Sequence, residues 1–128
     1  MSGVVVDTSV WIDFFNGRPA PVLEQGLADC AVVLPPLVVA ELVSGARRRE
    51  DRAAIVDLVA DLEIHDTPVE HWVRVGDLRR RLGEKGIAVS TPDAHVAQCA
   101  IDRGAPLLSR DAVFRTIATL MPLRLAGQ

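Results

Sequence analysis

Four acidic side chains fall at positions where an α/β protein could use them for chemistry. Asp7 directly follows the apolar run Val4–Val6, and Asp111 comes shortly after a second run at residues 105–108. Apolar runs without alternation predict strands that are buried on both faces, as in a parallel sheet. Ligands of such sheets bind beyond the carboxyl ends of the strands, so we expect both acids to face one crevice. For Asp7 taken alone, an ordinary helix cap is an equally good interpretation.

The other two acids lie on predicted helices. Glu41 is the only charge in the apolar segment 36–46, and no Lys or Arg stands three or four residues away to pair with it. A helix that is apolar on every side predicts burial, so Glu41 would need a cation from outside the chain, unless it faces a narrow strip of solvent. Asp93 follows Thr91 and Pro92, which predict a helix start with Thr91 as the cap. An acid there also suits the helix dipole, without any further role.

Together the four acids predict a metal site. Carboxylates that share one crevice repel each other unless hard cations bind them. Oxygen ligands suit Mg²⁺, with Mn²⁺ as an alternative, and water and a substrate phosphate complete the coordination. The reaction that uses such a site is the hydrolysis of a phosphodiester.

The order of the predicted elements indicates how these acids are positioned. Strand-like and helix-like segments alternate along the chain, which predicts a three-layer α/β/α domain with a mainly parallel central sheet. The 128 residues fit a single domain, residues 1–128. We expect the last helix to begin at Ser109, Arg110 and Asp111, and residues 123–125 to form an edge strand.

Composition limits the setting of the protein. No apolar run approaches the roughly 20 residues that span a bilayer, and no basic segment precedes an apolar one at the N-terminus, so we expect a soluble, cytoplasmic protein with no membrane partner. Cys30 and Cys99 lie in apolar surroundings without the short spacing of a metal knuckle, which predicts buried, reduced thiols.

Charge alone argues against a nucleic-acid partner, because 14 basic and 17 acidic residues give a net charge of −3. Setting the four site acids aside leaves 13 acids against 14 bases. Two triple-arginine clusters then become available for a phosphate backbone or an acidic partner segment, although such clusters are most often solvated faces. They are Arg47, Arg48 and Arg49, and Arg79, Arg80 and Arg81. His95 lies two residues after Asp93, so the two side chains should point apart, and we do not expect His95 to be a ligand.

The chain resembles a PIN-domain ribonuclease, specifically the VapC-type toxin of a bacterial toxin–antitoxin pair. The resemblance covers nearly the whole chain and rests on four segments: Asp7, Thr8, Ser9, Val10 and Trp11 after the three valines; Glu41, Leu42 and Gly45; Thr91, Pro92, Asp93 and Ala94; and Leu107, Leu108, Ser109, Arg110 and Asp111 with Phe114.

The resemblance implies a role for each of these acids. Asp7, Glu41, Asp93 and Asp111 would bind the metal, and Ser9 and Ser109 would be nearby hydroxyls. It also implies Mg²⁺-dependent endoribonuclease activity on an RNA substrate, homodimerisation, and inhibition by a small antitoxin. Together with the two serines, we take Arg79, Arg80 and Arg81 as candidate RNA-binding residues.

Two other interpretations are open. A phosphoaspartyl enzyme of the haloacid-dehalogenase type also has an Asp after its first strand, but it needs a second Asp two residues later, where this chain has Ser9. The other is a non-catalytic binding module in which the metal only stabilises the fold.

Overall fold

The structure is a computed structural model that describes residues 3–127. The outermost residues of the predicted 1–128 domain lie outside the described part. Four strands form one sheet in the order β3-β2-β1-β4, and all neighbouring strands are parallel. The strands are β1 (Val4–Val6), β2 (Val32–Leu34), β3 (Glu63–Ile64) and β4 (Leu107–Leu108).

Helices cover both faces of this sheet. They are α1 (Thr8–Phe15), α2 (Pro21–Ala28), α3 (Pro36–Gly45), α4 (Arg49–Ala60), α5 (Val69–Glu84), α6 (Thr91–Arg103) and α7 (Val113–Leu120). Successive side chains of a strand point to opposite faces, yet every residue of β1, β2 and β4 is buried. The fold prediction of an α/β protein with a parallel central sheet is confirmed.

Helix α6 is the most enclosed helix. All seven residues from Ala94 to Ala100 are buried. Ala94, Ala97 and Ala100 recur at helical spacing, and their small side chains let the helix approach β1 closely. The position of its first turn, which carries Asp93, is therefore fixed by packing against the sheet.

Three local predictions were wrong. Helix α7 begins at Val113, because the Asp111 amide donates to Ser109 Oγ (3.1 Å) in a turn before the helix. Residues 123–125 form only a single parallel bridge, between Leu125 and Leu107. The cap of α6 is Ser90 and not Thr91, since Ser90 Oγ accepts the hydrogen bond from the Asp93 amide.

The cysteine prediction was half right. Both thiols are free, and Cys99 is buried, but Cys30 is exposed. Cys30 lies in the turn after α2 with a φ of 52°, so its apolar sequence neighbours do not enclose it. Within residues 3–127, no helix is long and apolar enough to cross a membrane.

Candidate active site at the carboxyl edge of the sheet

Asp7 is a buried carboxylate at the end of the central strand β1. Its amide donates to the Leu108 carbonyl (2.9 Å) and so continues the ladder between β1 and β4. Although Asp7 occupies the N-cap position of α1, its side chain makes no capping hydrogen bond. Two hydroxyls donate to Oδ2 instead, Ser109 at 2.8 Å and Ser9 at 3.1 Å. The geometry therefore disfavours the interpretation of Asp7 as an ordinary helix cap.

The surroundings of Asp7 shift its protonation. Burial raises the pKa of Asp7 from 3.8 to about 6. Hydrogen bonds from Ser109, Ser9 and the Thr8 amide lower this pKa, and the nearby Asp111 carboxylate raises it. Asp7 forms no ion pair with the residues that the structure describes. At neutral pH a mostly ionised, buried carboxylate thus stands without a cation from the chain, which favours an external one.

The two serines connect the loop after β4 to the start of α1. Their hydroxyl oxygens lie 3.4 Å apart. Ser9 Oγ accepts from the Arg110 amide (3.1 Å), and Ser109 Oγ accepts from the Asp111 amide (3.1 Å). Each hydroxyl therefore accepts a backbone hydrogen bond and donates its proton to Asp7. The exposed Asp111 is held beside Asp7 by this network.

Glu41 is exposed, so the prediction of a buried carboxylate was wrong. Helix α3 buries only one face, through Val38 and Leu42. The apolar residues on its other side are small or only half-buried. Thr8 Oγ1 donates to Glu41 Oε1 at 2.6 Å. Since Thr8 is the neighbour of Asp7 in the chain, this bond still places Glu41 at the same edge of the sheet.

Asp93 lies in the first turn of α6 and is half-buried. Two residues later, His95 Nε2 accepts a hydrogen bond from the Leu37 amide at 3.4 Å. Leu37 is in the first turn of α3, directly after β2, so the start of α6 also lies at the carboxyl edge of the sheet. As expected, His95 points away from Asp93, into the protein.

The four acids share an edge without forming a compact cage. Within residues 3–127, no three of them bring their oxygens within 4.8 Å of one another. Mg²⁺ in proteins is commonly held by one or two carboxylates, with waters and substrate phosphates completing its shell. An oxygen-only donor set around a buried, uncompensated Asp7 fits such an ion.

The predicted basic cluster lies in and beside a surface groove. Arg79, Arg80 and Arg81 are all exposed, but Arg79 Nε donates to the Val89 carbonyl (2.8 Å) and Arg80 pairs with Glu84 (3.5 Å). A groove of about 580 Å³ is lined by Gly76, Arg79, Arg80, Gly83, Ile87, Ala88, Val89 and Ser90. Arg79 and Arg80 thus line the groove and Arg81 does not. Ser90, the cap of α6, also lines the groove, and it lies three residues before Asp93 in the chain.

Sequence reasoning missed two residues that shape the site. Thr8 belongs to a segment that carries the family resemblance, but nothing in the sequence indicates its hydrogen bond to Glu41. Arg110 pairs with Asp13 and donates to the Pro19 carbonyl (3.4 Å), so this arginine is held against α1. These contacts join segments that are far apart in sequence, and no local pattern indicates them.

Fold and site together define a class: a parallel α/β domain with an acidic, oxygen-only site at the carboxyl edge of its sheet. The family model of the PIN domain matches residues 4–120, and the chain belongs to this family. The haloacid-dehalogenase interpretation is therefore wrong.

Known relatives are VapC proteins. The chain is 35% identical to Ribonuclease VapC32 of Mycobacterium tuberculosis over 111 residues, 84% of each chain. It is 33% identical to Ribonuclease VapC21 of the same species over 107 residues, which are 80% of this chain and 74% of the relative.

Solved structures show the same fold. VapBC-1 from nontypeable Haemophilus influenzae superposes with a TM-score of 0.78 at 18% identity, covering 97% of this chain and 96% of that one. VapBC2 from Rickettsia felis, bound to a DNA fragment from its promoter, gives a TM-score of 0.77 at 24% identity and 96% coverage of both chains.

Proposed function

We propose that the protein is a divalent-metal-dependent endoribonuclease and the toxin of a toxin–antitoxin pair. The observation that carries this proposal is the buried Asp7, which faces Asp111 and has no cationic partner in the described part of the chain. The relatives named ribonucleases support the choice of RNA as the substrate.

In this proposal Asp7, Glu41, Asp93 and Asp111 hold Mg²⁺, or Mn²⁺ in its place. An ion held there would supply an activated water and would polarise the phosphoryl oxygen. Ser9 and Ser109 orient the Asp7 carboxylate, as their hydrogen bonds to it indicate. Thr8 orients Glu41, which lies on the solvent side and holds the attacking water or a second ion.

The groove beside α5 is the proposed path of the RNA. Arg79 and Arg80 line it, and so does Ser90, which caps the helical turn that carries Asp93. A phosphate backbone bound by these arginines would therefore extend toward the acids. Electrostatic contacts of this kind bind RNA without selecting its sequence.

The proposed partner is a small antitoxin, because the solved neighbours are VapB–VapC complexes by their names. A homodimer in the cytoplasm, where RNA is available, completes the proposal. Exposed apolar side chains on α1, Ile12 and Phe15, are candidates for either interface.

The decisive experiment incubates purified protein with total RNA in millimolar Mg²⁺ or in EDTA and maps the new RNA ends. We expect discrete cuts in Mg²⁺, none in EDTA, and none above background with Asp7→Asn. Asp57→Asn makes the same change on the exposed face of α4 and should cut like wild type. Cutting that survives EDTA and Asp7→Asn would reject this site. A folded, Mg²⁺-binding protein that never cuts would support the non-catalytic binding module.

A further inference from the structure

All three histidines of the chain and one of its two cysteines meet in a second polar cluster. His65 follows β3, His71 lies on α5, and His95 and Cys99 lie one turn apart on α6. His71, His95 and Cys99 are completely buried, and His65 is half-buried. Such a group inside an otherwise apolar core calls for a physical explanation.

The distances within the cluster suit a metal ion. One ligand atom each of His65, His71 and Cys99 lies within 4.8 Å of the others. Zinc bonds to nitrogen and sulfur of about 2.0–2.3 Å place tetrahedral ligand atoms roughly 3.3–3.8 Å apart. Side-chain movements of about an ångström would therefore close the three residues around one ion.

Hydrogen bonds fix the tautomers of His95 and His71. The Leu37 amide donates to His95 Nε2, so the proton of the neutral His95 ring is on Nδ1. A ring that accepts at Nε2 is uncharged, since the imidazolium carries a proton on both nitrogens. His95 Nδ1–H then donates to His71 Nε2 at 2.8 Å. The proton of His71 must accordingly be on Nδ1, where it donates to Asp102 at 3.3 Å.

With its proton on Nδ1, His71 is in a tautomer that metal-binding histidines commonly adopt. Its unprotonated Nε2 accepts the hydrogen bond from His95 in the metal-free protein, and a carboxylate accepts the proton on the other side of the ring. Asp102 is itself held by Arg74 (2.8 Å) and Gln98 (2.8 Å). The supporting carboxylate is therefore fixed in place by α5 and α6.

His65 and Cys99 supply an independent indication. Nδ1 of His65 is buried, and within residues 3–127 it has no hydrogen-bond partner. Cys99 Sγ is completely buried and lies 3.7 Å from His95 Nε2. A bound metal ion would satisfy the His65 nitrogen and would displace the thiol proton into solvent, leaving a metal–thiolate bond.

We propose that His65, His71 and Cys99 form a second metal site, for a borderline-soft transition metal ion of the zinc class. Two imidazoles and a thiolate select such an ion over Mg²⁺, which prefers oxygen. When the ion displaces the hydrogen bond from His95 to His71, a water in the fourth position would accept the freed Nδ1–H of His95. The site cross-links the segment after β3 with α5 and α6. It shares no ligand with the carboxylate site and does not depend on the proposed nuclease function.

Cobalt titration of the metal-free protein tests this site, because a Co²⁺–thiolate bond absorbs in the near ultraviolet and a carboxylate site gives no such band. We expect a stoichiometric band that Zn²⁺ abolishes. Cys30→Ser, the same change at the exposed cysteine, should keep the band, and Cys99→Ser should lose it. His65→Gln should weaken Co²⁺ binding by at least ~10-fold. Asp7→Asn should leave the band unchanged.

Thermal melting gives a second measurement that does not depend on cobalt. Zn²⁺ should raise the melting temperature of wild type and Cys30→Ser but not that of Cys99→Ser or His65→Gln, because the ion binds the folded state. His65 is half-buried, so His65→Gln provides the comparison if Cys99→Ser fails to fold. A band that disappears with Cys30→Ser, or a folded wild type without any band, would overturn the proposal.

Discussion

The Ser109 hydroxyl donates a 2.8 Å hydrogen bond to Asp7 Oδ2, although the two residues are 102 positions apart in the chain. The register explains the contact. Val6 and Leu108 are paired across β1 and β4, so the next residue of each strand, Asp7 and Ser109, comes to the same point at the edge of the sheet. The parallel sheet thereby places a donor against the only buried acid of the site.

Ser109→Ala should raise the pKa of Asp7 above its value of about 6, because the hydroxyl stabilises the charged carboxylate. Mg²⁺ affinity should fall by roughly 10-fold, as is usual when a ligating group no longer receives a supporting hydrogen bond. Ser9→Ala, which removes a 3.1 Å bond, should have the smaller effect. Calorimetric Mg²⁺ titrations of the three proteins measure this. Equal affinities for wild type and Ser109→Ala would show that this bond does not support ion binding.

The raised pKa of Asp7 predicts how the stability of the metal-free protein depends on pH. A carboxyl group whose pKa is higher in the folded state favours folding below its unfolded value, here 3.8, and loses this contribution as pH rises to about 6. The difference between a pKa of 3.8 and one of about 6 corresponds to roughly 3 kcal/mol in the free energy of unfolding. We therefore expect the free energy of unfolding in EDTA to fall between pH 4 and 6, and Mg²⁺ to restore it near neutrality.

Asp7→Asn isolates this effect, because the amide does not titrate. At pH 7 in EDTA the variant should be more stable than wild type, by up to roughly 3 kcal/mol, and it should gain little from Mg²⁺. Asp57→Asn removes an exposed charge and should follow wild type. Urea unfolding at several pH values measures all three proteins. If Asp7→Asn were less stable than wild type at pH 7 in EDTA, the prediction would be wrong. The hydrogen bonds of the Asp7 carboxylate would then stabilise the fold by more than its burial costs.

The groove predicts different roles for neighbouring arginines. Replacing Arg79 and Arg80 with Ala should weaken RNA binding and reduce its salt dependence by about 0.7 for each phosphate that the protein no longer neutralises. Arg81→Ala is the matched control, since Arg81 does not line the groove. Binding of a labelled, uncut RNA to the Asp7→Asn protein at several salt concentrations measures this. Loss of antitoxin binding with unchanged RNA binding would reassign both arginines to the partner interface.

Much of the fold could be predicted because parallel strands are short, continuous apolar runs. Val4–Val6 and Val32–Leu34 are buried on both faces, as their composition indicates. The acid after the first run could be placed at the carboxyl edge for the same reason. Helix faces were less predictable. Composition does not show which face of a helix packs against the protein. Helix α3 is apolar in composition, yet Glu41 lies on its exposed side.

Contacts between distant segments could not be predicted at all. The bond from Thr8 to Glu41 and the histidine chain from His95 to Asp102 depend on how helices pack against each other. His95 illustrates this limit. Its spacing correctly predicted that its side chain points away from Asp93, yet nothing local indicated that it would meet His71.

Asp93 is the acid whose place in the site most needs a test, because its carboxylate is half-buried and makes no hydrogen bond or ion pair within residues 3–127. If it helps to hold Mg²⁺, Asp93→Asn should reduce RNA cleavage by at least ~10²-fold, since a neutral amide is a poor ligand. The variant should also gain less from Mg²⁺ in thermal melts. In EDTA it should melt at or above wild type, because one of the repelling charges is gone. An acid that only serves the helix dipole would instead lose about 0.3–1 kcal/mol on this change.

Ser90→Ala separates these outcomes. It removes the cap bond to the Asp93 amide (3.2 Å) but leaves the carboxylate, so it should cost about 1 kcal/mol of stability and retain the full gain from Mg²⁺. Melting curves of the two variants and wild type, in EDTA and in millimolar Mg²⁺, give the comparison. If Asp93→Asn matched Ser90→Ala in both conditions, Asp93 would be a structural residue of the first turn of α6, and the metal site would be left with Asp7, Glu41 and Asp111.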